Sequence, residues 1–245
     1  MSELKERYQA VLENMAASAK RAGRRPEDVT LVAVTKTWPV EVLLAAYEAG
    51  MRQFGENRPD ELAAKRPLVE AELGADGGIV WHFIGTVQSR KSGIIADFAD
   101  TFHALDRMKI ANRLSRQLVA NGRSLPVLLE VNVSGEGSKS GFLAVRWETD
   151  ATQQAKLRTV AQTVNNLAGF QLCGLMTMAP WHAPENEIRQ LFRRTRALAA
   201  WLETAVPDLN LSQLSMGMTD DYHIAIEEGA TQVRVGRALF GSRQV

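Results

Sequence analysis

The chain has 245 residues, 45% of them hydrophobic, which suffices for a large core and lies near the length of one (β/α)8 barrel, about 250 residues. Its formal net charge of +1 gives no electrostatic reason to expect a nucleic acid or an anionic membrane as a partner. The single cysteine, Cys173, excludes an intramolecular disulfide and a cysteine-based metal site, and the four histidines lack ligand spacing, so we expect no metal.

The amino-terminal segment, residues 1–23, carries apolar side chains at steps of three and four from Leu4 to Ala22. This spacing predicts an amphipathic helix. The first residues are charged where a signal peptide has its apolar core, and no apolar stretch approaches the ~18 residues of a membrane span. We therefore expect a cytoplasmic protein.

Strand-like and helix-like segments then alternate along the chain. Helical stripes follow the fourth, fifth and sixth candidate strands and begin at Met108, Leu157 and Ile188. Repeated βα units without a linker predict one domain, 1–245, folded as a single TIM-type (β/α)8 barrel. The eight candidate strands are 31–36, 53–57, 80–85, 101–106, 126–133, 170–176, 211–216 and 232–236.

Closure of this sheet is an inference from the number of units. An open doubly wound sheet is the alternative, because periodicity does not report closure. Residues 238–245 are too few for a full helix after the last strand. We therefore expect the amino-terminal helix to fill that gap in the outer ring.

Lys36 ends the apolar run 31–36, where a barrel strand opens onto the face that carries chemistry. Alternation places Lys36 on the same strand face as Val32 and Val34. A lysine beside apolar walls can lose its proton and become a nucleophile towards aldehydes. Lys36 is therefore the candidate for a covalent Schiff base, although a lysine that only extends to solvent would occupy the same position.

The turn formed by Ser215, Met216, Gly217 and Met218 has the composition of an anion site. Glycine lets the backbone approach a ligand closely, and consecutive N–H groups can bind a phosphate. An ordinary loop before a helix has the same composition.

Arg234 and Gly236 face the barrel interior if their valine neighbours face the helices. A buried arginine keeps its charge and needs an acceptor, such as a cofactor ring nitrogen or the carboxylate of Glu130. Opposite a pyridine nitrogen it leaves the ring neutral and a poorer electron sink than a ring that faces Asp. An amine, a phosphate site and this arginine together indicate pyridoxal 5′-phosphate (PLP).

Two further segments are candidate ligand sites: one has two interpretations, and the other is rejected. Asn57 follows the second candidate strand, where it can hydrogen-bond a cofactor or form a turn. The loop 134–141 is rich in glycine, serine and lysine, but no glycine directly precedes Lys139. It therefore fails the spacing of an ATP-binding P-loop.

The ordered set of these motifs resembles the pyridoxal phosphate homeostasis protein family, relatives of the barrel half of alanine racemases. The resemblance implies PLP bound as a Schiff base to Lys36 in an alanine racemase N-terminal-domain-like barrel. It implies phosphate contacts from Ser215, Gly217, Gly236 and the backbone of residue 237, with Arg234 near the ring nitrogen. The matching segments are 34–37, 54–57, 82–85, 88–89, 138–141, 174–176, 214–218 and 233–236.

One residue departs from the family pattern, which commonly has Thr or Ser after the glycine that corresponds to Gly236. Here that residue is Arg237, whose guanidinium either pairs with phosphate or turns outwards.

The family resemblance implies a non-enzymatic protein that binds, buffers and delivers PLP, with PLP-dependent apo-enzymes as recipients. The first alternative is a small PLP-dependent enzyme such as an amino-acid racemase. Racemisation needs a second acid–base group, and the three tyrosines lie in helical patterns. The second alternative is a Schiff-base aldolase, which more often carries its lysine on a later strand. No apolar seam indicates a dimer, so we expect a monomer.

Overall fold

The described strands of the protein all run parallel. The computed structural model describes residues 3–74, 77–137 and 139–241. The strands are β1 (Thr30–Val34), β2 (Gln53–Glu56), β3 (Val80–Phe83), β4 (Thr101–Leu105), β5 (Leu125–Asn132), β6 (Phe142–Leu143), β7 (Phe170–Met176), β8 (Gln213–Ser215) and β9 (Gln232–Val235). All except β6 form the circle β1-β2-β3-β4-β5-β7-β8-β9, which the pairing of β9 with β1 closes. The predicted TIM-type barrel is confirmed, and the open sheet is excluded.

The two-residue strand β6 lies outside this circle and was not predicted. It pairs with the end of β5, where Val131 lies opposite Phe142. The chain reaches this position through Gly141, which has a φ of 109° and whose added Cβ would lie 2.8 Å from the Glu130 carbonyl oxygen. A segment of two residues is too short to show a strand period.

Seven of the eight predicted strands extend one or two residues past the observed carboxyl ends. The run 31–36 stops pairing at Val34, and the backbone then turns at Thr37, whose φ is 69°. The prediction overshoots because the chain stays buried beyond the last ladder residue, as at Thr35 and Met216. A run of apolar residues indicates burial rather than strand pairing, and burial continues into the loops at this edge of the barrel.

The helices form the outer layer, and α1 fills the expected gap in it. Helix α1 packs against α8 and α9 and touches α2. Within the described residues, the last strand is followed by the four-residue α9, which leaves this room in the outer layer. The helices are α1 (Glu3–Arg21), α2 (Val40–Glu48), α3 (Pro59–Leu73), α4 (Ser92–Phe98), α5 (Met108–Ala120), α6 (Ala151–Asn165), α7 (Glu185–Ala205), α8 (Tyr222–Glu227) and α9 (Arg237–Phe240).

Alternation along the strands separates an apolar layer from a polar barrel interior. Phe54 and Trp81 lie between the strands and the helices, where their ring centroids are 5.8 Å apart. The next residue on β3, His82, points inward. Within the described ranges, no helix combines the length and apolar character that crossing a membrane requires.

We predict that the contact of α1 with the barrel contributes substantially to stability. Met15 is 5% exposed and packs in the core, whereas Glu13 on the same helix is exposed. Met15→Ala should lower the free energy of unfolding in urea by about 2–5 kcal/mol, because it removes buried apolar surface and leaves a cavity. Glu13→Ala should change it by less than about 0.5 kcal/mol. Equal effects of the two substitutions would contradict this packing.

Candidate cofactor site

The carboxyl ends of the barrel strands meet at one edge, and Lys36 lies there in the turn after β1. The Thr35 N–H donates to the Gly55 carbonyl at 3.0 Å, and the Trp38 N–H donates to the Thr35 carbonyl at 3.0 Å. Lys36 is partly exposed. The first bond joins the backbone before Lys36 to β2, and the second closes the turn around Lys36, while its side chain has access to this edge.

A line of hydrogen-bonded side chains, which we call the interior chain, crosses the barrel from β9 to β2. Arg234 Nη1 donates to Ser215 Oγ at 2.6 Å, and Ser215 Oγ lies 2.8 Å from His103 Nδ1. His103 Nε2 lies 2.9 Å from His82 Nδ1, and His82 Nε2 lies 2.8 Å from Gln53 Oε1. Each member of the interior chain lies on a different strand, so the interior chain depends on barrel closure.

Both histidines of the interior chain are neutral. Burial lowers the pKa of His82 to about 4, against a small opposing effect of Asp100. Burial also lowers the pKa of His103 far below its usual value, and His82 and Arg234 add to this effect. Since Arg234 can only donate and Gln53 presents its carbonyl oxygen, each bond points in the same direction, from Arg234 towards Gln53.

The guanidinium of Arg234 lies in the interior, as its alternation predicts, and its partners are uncharged. Besides Ser215, it donates to the Thr177 carbonyl oxygen at 3.0 Å. Burial lowers the pKa of Arg234 to about 10, while Asp221 and Glu130 oppose that shift, so the group is charged at neutral pH. Glu130, named from the sequence as a possible direct partner, thus acts on Arg234 through its charge.

Three buried oxygens at this edge have no hydrogen-bond partner among the described residues: Asn57 Oδ1, Asp106 Oδ1 and Glu130 Oε2. Burial raises the pKa of Glu130 to about 7, with a further rise from Asp106 and an opposing effect of Arg234 and Arg107. Burial likewise raises the pKa of Asp106. Polar atoms buried without partners are costly, and these three oxygens leave hydrogen-bonding capacity unused at this edge of the barrel.

Gly217 and Gly236, from the two predicted phosphate loops, lie on adjacent segments. The Arg234 N–H donates to the Gly217 carbonyl oxygen at 3.0 Å. Gly217 has a φ of 94°, and an added Cβ would lie 2.6 Å from Ala225 Cβ and 2.9 Å from Tyr222 Cα. Glycine is therefore required at position 217, and Gly236 directly precedes α9.

The remaining residues of these loops are already engaged with protein partners. The Ser215 hydroxyl points into the barrel and belongs to the interior chain. Met216 is fully buried, and its N–H donates to the Gln232 carbonyl at 3.1 Å. The Arg237 guanidinium forms an ion pair with Asp220 at the surface, which links the two loops.

Sequence reasoning missed His82, His103, Gln53 and Thr177. Histidines at inward-facing positions of otherwise apolar strands could have indicated a buried polar site. Their partners could not be predicted, because they come from strands far apart in sequence. One of the three serines of the loop 134–141, Ser138, lies outside the described residues. In the described part of the chain, no group of three or more His, Cys, Asp or Glu side chains is placed to hold a metal ion.

The chain matches one known class of protein over almost its whole length. Residues 7–244 match the family model described as Alanine racemase, N-terminal domain. The barrel superimposes on alanine racemase from Streptomyces coelicolor A3(2) with a TM-score of 0.70 at 18% identity, over 96% of this chain and 58% of the racemase.

More similar proteins specify the family further. The pyridoxal phosphate homeostasis protein of Escherichia coli K12 is 40% identical over 99% of this chain and 98% of its own length. Its counterpart in Pseudomonas aeruginosa is 42% identical over 99% and 97%. The solved structure of PipY from Synechococcus elongatus PCC7942 with PLP bound has a TM-score of 0.81 at 35% identity, over 98% and 100%. The chain belongs to the pyridoxal phosphate homeostasis protein family.

We predict that the interior chain makes stability depend on acid pH. His82 binds a proton more weakly in the folded protein than in the unfolded chain, so its contribution is present above about pH 6.5 and is lost as pH falls towards about 4. The free energy of unfolding should decrease by roughly 3 kcal/mol from this group alone. His82→Gln, which cannot titrate, should lose that part of the pH dependence in urea titrations.

His182→Gln is the matched control, since His182 lies in an exposed loop. Its pH dependence should equal that of the wild type. A His82→Gln profile parallel to the wild type between pH 6.5 and 4 would contradict the burial of a neutral histidine.

Proposed function

We propose that this protein holds PLP covalently on Lys36 and buffers or delivers the cofactor, without a dedicated catalytic reaction. The observation that carries the proposal is that Lys36 and the buried Arg234 share one barrel, at whose edge three buried oxygens have no partner among the described residues. Relatives named for pyridoxal phosphate homeostasis and the PLP-bound structure of PipY support it.

The donor set suits this cofactor. When bound, PLP supplies an aldehyde carbon that condenses with an amine, a ring nitrogen that accepts a hydrogen bond and a phosphate that needs donors. We assign Lys36 to the aldehyde, Arg234 to the ring nitrogen, and Gly217 and Gly236 to the phosphate. Asn57 has a buried oxygen without a partner and would meet a polar group of the ring.

Further phosphate contacts are assigned to the same two loops. We place Ser215, Met216 and the backbone N–H of Arg237 beside the phosphate, as the sequence indicates. The Ser215 hydroxyl already bonds His103 and Arg234 in this structure, so it would reach phosphate only by exchanging a partner. The Arg237 side chain is paired with Asp220, which favours a contact through its backbone.

The charge of Arg234 disfavours reactions that need a strong electron sink. Its permanent positive charge opposes protonation of a ring nitrogen beside it, so the ring would be a weak electron sink. The three tyrosines lie on helices α1, α2 and α8 rather than at strand ends. One observation supports the racemase alternative: Glu130, with a pKa of about 7, is an interior group able to exchange protons near neutral pH.

The proposal includes the partners and the location of the protein. We expect a cytoplasmic monomer that passes PLP to PLP-dependent apo-enzymes. The partly exposed position of Lys36 supports this, since delivery requires that the cofactor leave the site.

A labelling experiment tests the assignment. After incubation with PLP and removal of the unbound cofactor, the protein should be yellow, and borohydride reduction should leave a mass adduct on Lys36. Lys36→Ala should lose both signals, whereas Lys109→Ala, which removes an exposed lysine on α5, should retain them. A wild-type protein that stays colourless and unlabelled would overturn the proposal.

The same preparations separate a carrier from an enzyme. We expect racemisation of alanine or serine by the PLP-loaded wild type to equal that of Lys36→Ala. Sustained turnover above this control would favour the racemase.

A further inference from the structure

Side chains behind Lys36 hold the backbone on both sides of that residue. We call this group the Lys36 clamp: Lys65 and Glu61 on α3, and Glu56 at the end of β2. All three lie on the outer side of the strands, between the barrel and α3. The cofactor assignments above do not use any of them.

Lys65 is the centre of the clamp. Its side chain is 9% exposed, and its Nζ donates to the Thr35 carbonyl at 3.0 Å, to Glu56 Oε1 at 2.9 Å and to Glu61 Oε2 at 2.8 Å. An ammonium group has three protons, so every donor is used. One of the three bonds goes to the main chain directly before Lys36.

Glu61 holds the other side of the turn. Its Oε2 accepts the Thr37 N–H at 2.6 Å. Thr37 has a φ of 69°, a left-handed conformation that is strained for a β-branched residue. Although partial burial opposes it, the bonds from Lys65 and Thr37 keep the pKa of Glu61 below its usual value. An ionised carboxylate therefore stabilises the strained residue directly after Lys36.

Glu56 completes the group from the barrel side. It is fully buried, and its Oε1 accepts both the Lys65 ammonium and the Thr35 hydroxyl, the latter at 2.7 Å. A buried charged pair generally adds little to the free energy of unfolding, because the cost of desolvation offsets much of the attraction. Its bonds instead specify one conformation of residues 35–37.

A neighbouring ion pair on α3 shows what a purely structural contact does. Arg66 joins Glu70 and Asp100 and donates to the Phe98 carbonyl at 2.8 Å. It links α3 to the segment after α4 and has no bond to the Lys36 turn. The adjacent residues Lys65 and Arg66 thus differ in their partners: Lys65 contacts the turn at Lys36, and Arg66 contacts the end of α4 and Asp100.

We propose that Lys65 and Glu61 are positioning residues, which fix the turn so that the Lys36 amine is aimed at an aldehyde carbon held by the rest of the site. This inference rests on the proposed function and adds a second layer of residues to it. Small misplacements of a reacting group reduce its reactivity strongly, because the direction of approach is then lost. Lys65 and Glu61 therefore act on the covalent step rather than on the affinity for phosphate and ring.

The test compares two ligands that share ring and phosphate. PLP reacts with an amine, whereas pyridoxine 5′-phosphate has an alcohol in place of the aldehyde and cannot. For Lys65→Met we expect the Kd of PLP to rise about 10- to 100-fold. We expect the Kd of pyridoxine 5′-phosphate, measured by calorimetry, to stay within about twofold. Arg66→Met, the matched control, should leave both constants within about twofold of the wild type.

Glu61→Gln is the milder second variant, used also if Lys65→Met does not fold. Its amide oxygen can still accept the Thr37 N–H without the charge, so PLP should bind more weakly than to the wild type but more tightly than to Glu61→Ala. Pyridoxine 5′-phosphate should bind all three proteins alike.

Two results would overturn the clamp while the proposed function stands, provided that the wild type forms the Lys36 adduct. One is unchanged PLP affinity in Lys65→Met or, if it does not fold, in Glu61→Gln. The other is an equal loss of affinity for PLP and for pyridoxine 5′-phosphate, which would mean that Lys65 and Glu61 have a structural role only. A wild type without an adduct at Lys36 would overturn the proposed function and the clamp together.

Discussion

The burial of the Arg234 charge is the constraint on which the rest of the interior depends. A guanidinium keeps its proton, so a closed barrel that encloses it must supply acceptors and must keep other cations away. Ser215 and the Thr177 carbonyl supply the acceptors, and His103 and His82 remain neutral. The Arg234 charge also limits the rise in the pKa of Glu130, which burial and Asp106 raise to about 7. The interior is thus arranged around one fixed positive charge.

Two different layers of the fold determine the site. Barrel closure brings Lys36, Arg234 and the glycine loops to one edge, although they lie up to about two hundred residues apart in sequence. The helix layer then supplies finer control, since Lys65 and Glu61 reach through from α3 to the turn at Lys36. In the proposed site, the strands determine where the Lys36 amine lies, and the helix α3 determines its direction.

The sequence predicted the features that repeat along it and missed those that depend on distant partners. Eight strand regions, the role of α1 and the inward direction of Arg234 follow from alternation and periodicity, which are local. The strand ends were overshot because burial continues into the loops, as at Thr35. Lys65 was missed because its pattern on α3 is that of any helical lysine, and only the tertiary contact with Thr35 distinguishes it.

A crystal structure of the protein grown with PLP tests the central claim most directly. The account predicts continuous density from Lys36 Nζ to the cofactor, with the Arg234 guanidinium within hydrogen-bond distance of the ring nitrogen and the phosphate against Gly217 and Gly236. Density for PLP on another lysine, or with its ring nitrogen facing a carboxylate, would contradict it.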